Sequence, residues 1–208
     1  MPDQRSHASG IPHADAGNPP SGRSRGGRGA RRATRRVRAS LGCSAIRTAI
    51  LTVSTTVSRR NAEDRSGPVL AGLAEAAGCE IVAMEVVPDD FGLIEDRLHH
   101  YVDDDCDLVF TTGGTGMTPD DITPEATQAV IHREAPGLAE AMRAEAARQV
   151  ATGILSRGVS GIAEATLIVN FPGSPRAVEQ LFPVIAPVLA HAVATLRGDS
   201  AHGHRHGP

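Results

Sequence analysis

Four short apolar runs, each followed by a stretch of helical spacing, constrain this chain more than any other feature. The runs are Ile46–Ser54, Glu80–Val87, Asp107–Thr112 and Ala165–Phe171. Each is rich in β-branched or other apolar residues and is only strand-length, the pattern of strands buried on both faces. Between them, helical spacing recurs. Ser66-Gly67-Pro68 opens a helix carrying Val69, Leu70, Leu73 and Ala77, with Gly78 as its stop. Phe91, Ile94, Leu98 and Val102 mark a second helix. Thr123-Pro124-Glu125 starts a third, with Thr123 expected as its hydroxyl cap, and a further helix is expected from Gly137 to about Ala151. Ser174-Pro175 repeats the cap-plus-proline device before the last helix, in which Pro183 and Pro187 should kink or break the pattern. Strand and helix alternate, so the expected class is α/β: a three-layer α/β/α sandwich with a mostly parallel sheet.

Composition assigns the rest of the chain. Residues 1–44 are rich in Gly, Ser, Pro and Arg and bury too little apolar surface to offset their ordering entropy, so they read as a disordered tail. The folded domain is expected over 45–197, with a disordered His-containing tail over 198–208. Residues 1–40 hold nine Arg against two acids, and the rest holds twelve Arg against 22 acids. The globular part is therefore acidic, and with 2% aromatics it lacks stacking platforms. Both facts argue against nucleic-acid binding. Cys43, Cys79 and Cys106 form no CxxC pair and read as reduced thiols of a cytoplasmic protein. No apolar run is expected to approach the ~20 residues of a membrane span, and no secretion signal is apparent.

In parallel sheets, ligands bind beyond the carboxyl ends of the strands. That rule directs attention to the loops after Ser54, Val87, Thr112 and Phe171. They carry Pro88-Asp89-Asp90, then Gly113-Gly114-Thr115-Gly116 with Asp120-Asp121, then Pro172-Gly173-Ser174-Pro175. A Gly-rich turn lets backbone amides approach an anion, and the helix beginning after Thr123 adds its positive end. The turn is neither a Walker A loop, since the chain has no Lys, nor a dinucleotide fingerprint. Two carboxylates beside a phosphate cradle, Asp89 and Asp121, suit Mg²⁺, which prefers oxygen ligands shared with substrate phosphates.

The stretch Thr111-Thr112-Gly113-Gly114-Thr115-Gly116, followed by Asp121-Ile122-Thr123-Pro124-Glu125-Ala126, resembles the signature of the MoaB/Mog molybdenum cofactor biosynthesis family, related to the gephyrin G domain. Thr52-Val53-Ser54, Asp64-Arg65-Ser66-Gly67-Pro68, Val87-Pro88-Asp89, Leu155-Ser156-Arg157 and Pro172-Gly173-Ser174-Pro175 match in the same order, covering about residues 46–197. The resemblance implies the molybdopterin-binding fold, a homotrimer, and adenylylation of molybdopterin with Mg-ATP, releasing pyrophosphate. It makes Asp89 and Asp121 the catalytic and Mg²⁺-holding carboxylates. It assigns Gly113, Gly114, Thr115, Gly116, Ser156, Gly173 and Ser174 to substrate binding. It also implies a molybdate-insertion enzyme as the downstream partner.

The chain departs from the family pattern at two positions. Thr55 stands where many relatives have Asp or Asn, and Ala146 where many have Ser. A lost hydroxyl removes one donor to a phosphate, about 1.5–3 kcal/mol to a charged group, and implies a weaker or differently built pterin site. Two alternatives are a non-catalytic molybdopterin-binding or assembly protein and a competence-damage-type nucleotide-cleaving enzyme. The loop argues against the latter, whose family usually carries Gly-Gly-Leu-Gly there.

Overall fold

The four apolar runs form one edge strand and three inner strands of a six-stranded sheet in a computed structural model that describes residues 45–198. The tails 1–44 and 199–208, and the disorder expected of them, lie outside the described residues. Strand β1 covers Ile46–Val53, β2 Cys79–Val87, β3 Leu108–Thr112, β4 Arg133–Glu134, β5 Ser160–Ala163 and β6 Thr166–Phe171. Helix α1 covers Thr55–Ser58, α2 Ser66–Ala76, α3 Phe91–Asp103, α4 Thr123–Val130, α5 Pro136–Gln149 and α6 Pro175–Arg197. The strand order is β2-β1-β3-β6-β5-β4. The first four strands of that order pair in parallel.

Because side chains alternate across a strand, neighbouring core residues serve opposite layers. Ile50, Phe110 and Val169 face α2, α5 and α6, where Leu70, Met142, Phe182 and Ile185 meet them. Leu51, Val109 and Ile168 face α3 and α4, through Ile94, Leu98, Tyr101 and Val130. All six strand residues are fully buried. Phe110, Phe171 and Phe182 pack with ring centroids 5.5–6.1 Å apart, two of the contacts edge-on. The expected three-layer α/β sandwich is thus present.

The sheet is mostly parallel, as expected, with an antiparallel edge, β5 on β6 and β4 on β5, that the sequence pattern does not announce. Three expectations need correction. First, Pro183 and Pro187 do not break α6, which runs unbroken for 23 residues. Both prolines lie on its exposed face, where water can serve the carbonyls left without a donor. Second, neither Thr123 nor Ser174 caps its helix with its side chain. Third, helix α6 is, by length and composition alone, apolar enough to cross a membrane, contrary to the expectation that no segment is. Here its stripe of Val178, Leu181, Phe182, Ile185, Leu189 and Val193 packs into the core of the sandwich.

The amino ends of the strands are closed by charge. Asp107 accepts from Arg197 Nε at 2.8 Å and Nη2 at 2.5 Å, and from the Arg47 amide at 2.9 Å. The end of α6 is thereby tied to the start of β3, opposite the site described next.

Candidate functional site

The carboxyl ends of β1, β2, β3 and β6 gather four loops into one groove. Ser54 N–H donates to Val87 O at 2.9 Å, and Gly113 N–H to Phe171 O at 3.1 Å, so adjacent strands hold each other's loops. The groove encloses about 410 Å³. Its walls include Thr52, Ser54, Asp64, Asp89, Gly113, Gly114 and Gly173.

The Gly-rich turn is shaped by close approach. Gly113 and Gly114 have φ of 99° and 61°, values that side-chain-bearing residues rarely adopt. A Cβ on Gly113 would stand 2.2 Å from Val53 O. One on Gly114 would stand 2.3 Å from Thr123 Oγ1 and 3.3 Å from Asp89 Oδ1. The turn is therefore built for a bare backbone. Gly116 has no positive φ, but a Cβ there would lie 2.8 Å from Asp121 Oδ2.

Asp89 follows β2 and is fixed from the start of α1. Its Oδ2 accepts from Thr55 N–H at 2.7 Å and from Thr55 Oγ1 at 2.8 Å, while its own amide donates to Thr55 Oγ1 at 3.0 Å. Thr55, a departure from the family pattern, is thus the residue that orients Asp89. Asp121 sits on the other side of the turn, outside the lining of the groove. Its Oδ2 accepts from Thr118 N–H at 2.8 Å and Thr118 Oγ1 at 2.6 Å. Partial burial pushes its carboxyl up. The Thr118 and Gly116 hydrogen bonds and the Arg157 charge outweigh that and hold it below the usual carboxylate range.

The other expected site residues divide between two places. Gly173 lies on the groove wall, and a Cβ there would be 3.1 Å from Gly113 Cα. Ser174 is exposed at the start of α6. Thr115 is buried, and its carbonyl accepts from Arg157 N–H at 2.9 Å. Ser156 lines a separate cavity of about 20 Å³ with Ala146, Met142, Arg143 and Asn170. That is room for a water molecule, so a substrate meets Ser156 only at its rim. Ala146 is the second departure, and it faces this small cavity.

Three residues matter that the sequence reading did not assign to the site. Asp64 lines the groove and accepts from Thr52 Oγ1 at 2.7 Å and Gly67 N–H at 3.0 Å. Its only signal is its place in the Asp64–Pro68 stretch. Thr123 is fully buried under Gly114, and its Oγ1 has no partner among the described residues. Its amide donates to Gly114 O at 3.1 Å, which draws the residue inward and away from the capping role. Arg157 reaches the turn from the segment before β5.

The groove wall carries Glu63, Asp64 and Asp89 against Arg65. Such a surface repels phosphate groups unless a cation joins them. Asp89 Oδ1 takes no hydrogen bond from the described residues and is turned toward Gly114. Among the described residues no cluster of three or more His, Cys, Asp or Glu could hold a metal alone. This donor set fits Mg²⁺, which is commonly held by one or two carboxylates together with substrate phosphates.

Comparison with known proteins identifies the family and the fold. The family described as "Probable molybdopterin binding domain" matches residues 49–191. The Helicobacter pylori protein named molybdopterin adenylyltransferase is 41% identical over 116 residues, 55% of this chain and 66% of that protein. The Drosophila melanogaster molybdenum cofactor synthesis protein cinnamon is 39% identical over 152 residues, 72% of this chain but 25% of its own length. Among solved structures, the molybdopterin biosynthesis enzyme MoaB of Thermus thermophilus superposes with a TM-score of 0.70 at 40% identity, covering 74% of this chain and 97% of that one. A CinA protein of Thermoplasma acidophilum, 17% identical with a TM-score of 0.56, shares the fold alone.

Proposed function

The chain belongs to the molybdopterin-binding domain family, and from that premise we propose that it is a molybdopterin adenylyltransferase of molybdenum cofactor biosynthesis. The observation that carries this reading is the bare Gly113-Gly114 turn lying at the carboxyl ends of the strands, with Asp89 and Asp121 on either side of it. Similarity to proteins named molybdopterin adenylyltransferase supports the choice of substrates.

In this reading a terminal phosphate oxygen of molybdopterin attacks the α-phosphorus of ATP. The bond from that phosphorus to the bridging oxygen breaks, and pyrophosphate leaves. Mg²⁺, held by Asp89 and Asp121, would neutralise phosphate charge. The amides of Gly114 and Thr115 hold the attacking phosphate, while Gly113 and Gly116, whose amides are taken by Phe171 O and the Asp121 carboxylate, shape the turn, and Gly173, Ser174 and the rim at Ser156 complete the binding surface. Thr55 keeps Asp89 in one orientation before substrate arrives. The displacement is direct, so positioning and charge stabilisation supply the acceleration.

We further propose a cytoplasmic homotrimer that passes its product to a molybdate-insertion enzyme. Cys79 and Cys106, both buried and unpaired, suit a reducing compartment. Met84 and Val86 on edge strand β2, with Phe91 and Leu93 at the start of α3, offer exposed apolar surface for self-association. Light scattering should give about three times the 21.7 kDa chain mass.

The test is pyrophosphate release from Mg-ATP in the presence of purified molybdopterin. Asp121→Asn and Asp89→Asn should each lower turnover by roughly 100-fold, a barrier change of about 2.7 kcal/mol, with the fold intact. Molybdopterin binding without pyrophosphate release would instead establish the non-catalytic alternative.

A further inference from the structure

Arg157 reaches both ends of the Gly116–Asp121 segment from the loop before β5, although the mechanism above gives it no part. Its Nε donates to Gly116 O at 2.6 Å, Nη2 to Asp121 O, and Nη1 to Glu125 Oε1 in the first turn of α4. Its backbone amide adds the bond to Thr115 O. Both ends of the Gly116–Asp121 segment are thus gripped by one planar guanidinium, whose fork of donors suits several acceptors at once. The segment bearing Arg157 is fixed in turn from α5. There Arg143 Nε donates to Ser156 O at 2.8 Å and Nη2 to Gly158 O at 2.7 Å. Two arginines in series therefore link α5, the Ser156 loop, the Gly-rich turn and the start of α4.

We infer that Arg157 is a positioning residue that holds the Gly116–Asp121 segment in its working shape and joins it to the Ser156 loop. The inference rests on the site being the adenylyl-transfer site, but the clamp itself is observable without turnover. Carbonyl contacts fix backbone position, whereas a salt bridge alone would fix only the half-exposed Glu125 side chain. A lysine cannot replace this grip, since one ammonium is a point donor on a flexible stem.

The experiment compares wild type, Arg157→Lys and Arg157→Ala by amide hydrogen exchange of the free protein and by steady-state kinetics with Mg-ATP and molybdopterin. Exchange should quicken in both variants at residues 114–122, with the sheet amides unchanged. The kcat should fall roughly 10- to 100-fold while KM for ATP moves only a few-fold. Added guanidinium ion should restore part of the Arg157→Ala activity, and Arg157→Lys should not recover it. Unchanged exchange at 114–122 would overturn the inference, as would faster exchange across the whole domain. Wild-type inactivity would sink the proposed function instead, leaving the exchange data to decide the clamp.

Discussion

Replacing Gly114 by alanine tests whether the turn is built around Thr123. The added Cβ would lie 2.3 Å from Thr123 Oγ1, a side chain with no exposure and hence no free room. Ordinary contact needs about 1 Å more, and relieving such overlap in a packed site costs about 1–3 kcal/mol. The φ of 61° adds about 1–2 kcal/mol for a residue with a Cβ. The variant should therefore lose about 2–5 kcal/mol in urea unfolding, read as a lower midpoint at constant m. Removing the obstacle should return part of this. In a double-mutant cycle with Thr123→Ala, the coupling should be at least about 1 kcal/mol in the relieving direction, because the worst overlap, with Oγ1, is gone while the φ strain and two tight contacts stay. Activity should remain low even in the double variant, since the Cβ also stands 3.3 Å from Asp89 Oδ1. A loss below about 1 kcal/mol, or zero coupling, would refute the packing argument. At Gly113 the obstacle is the Val53 carbonyl, so no side-chain deletion should rescue Gly113→Ala.

Arg197→Met should be strongly destabilising, by about 3–5 kcal/mol, because it takes the guanidinium from the buried carboxylate of Asp107; calorimetric Tm should fall by about 10 °C or more. Cys106 supplies the pH prediction. Burial pushes its thiol up to about 11, from an ordinary 9.0. The unfolded thiol then ionises first, so stability should fall as pH rises from 9.0 toward about 11. Cys106→Ala should flatten that part of a Tm-against-pH curve, and an unchanged slope would count against the buried-thiol account.

Legibility in the sequence followed burial. Strands β1, β3 and β6 were readable because both faces are covered and the runs are continuously apolar. Strands β4 and β5 were not. Arg133–Glu134 is exposed, and Ser160–Ala163 includes Gly161, where a Cβ would stand 2.5 Å from Ile131 Cδ1. These strands exist because β6 offers an edge, a tertiary cause without local periodicity. Within the site, Asp89, Asp121 and the glycines could be found because they follow strand ends in recognisable stretches. Arg157 and Thr123 could not. Arg157 bonds to carbonyls 36 and 41 residues away, and a backbone acceptor leaves no mark in sequence. Thr123 in the pattern Thr-Pro-Glu reads as a helix cap, until the Gly114 carbonyl takes its amide and turns it inward.

Thr55 is where the chain's departure from its family can be judged. Read as a lost carboxylate or amide, Thr55 suggests a weakened site. The structure gives the position a different role, since its amide and hydroxyl both donate to Asp89 Oδ2 and its hydroxyl also accepts from the Asp89 amide. The hydroxyl therefore fixes both the backbone and the carboxylate of Asp89, and leaves Oδ1 toward the Gly-rich turn. Thr55→Val keeps the shape and the amide but removes both hydroxyl bonds. A hydrogen bond to a charged group is worth about 1.5–3 kcal/mol, so turnover should drop roughly 10- to 100-fold. Thr55→Ser, which keeps the hydroxyl, should stay within a few-fold of wild type. Thermal stability should change little in either variant, because the position lies at the open end of the sheet. If Thr55→Val turns over normally, Asp89 needs no orientation from the Thr55 hydroxyl, and its fixed carboxylate is a consequence of loop packing rather than a condition of catalysis.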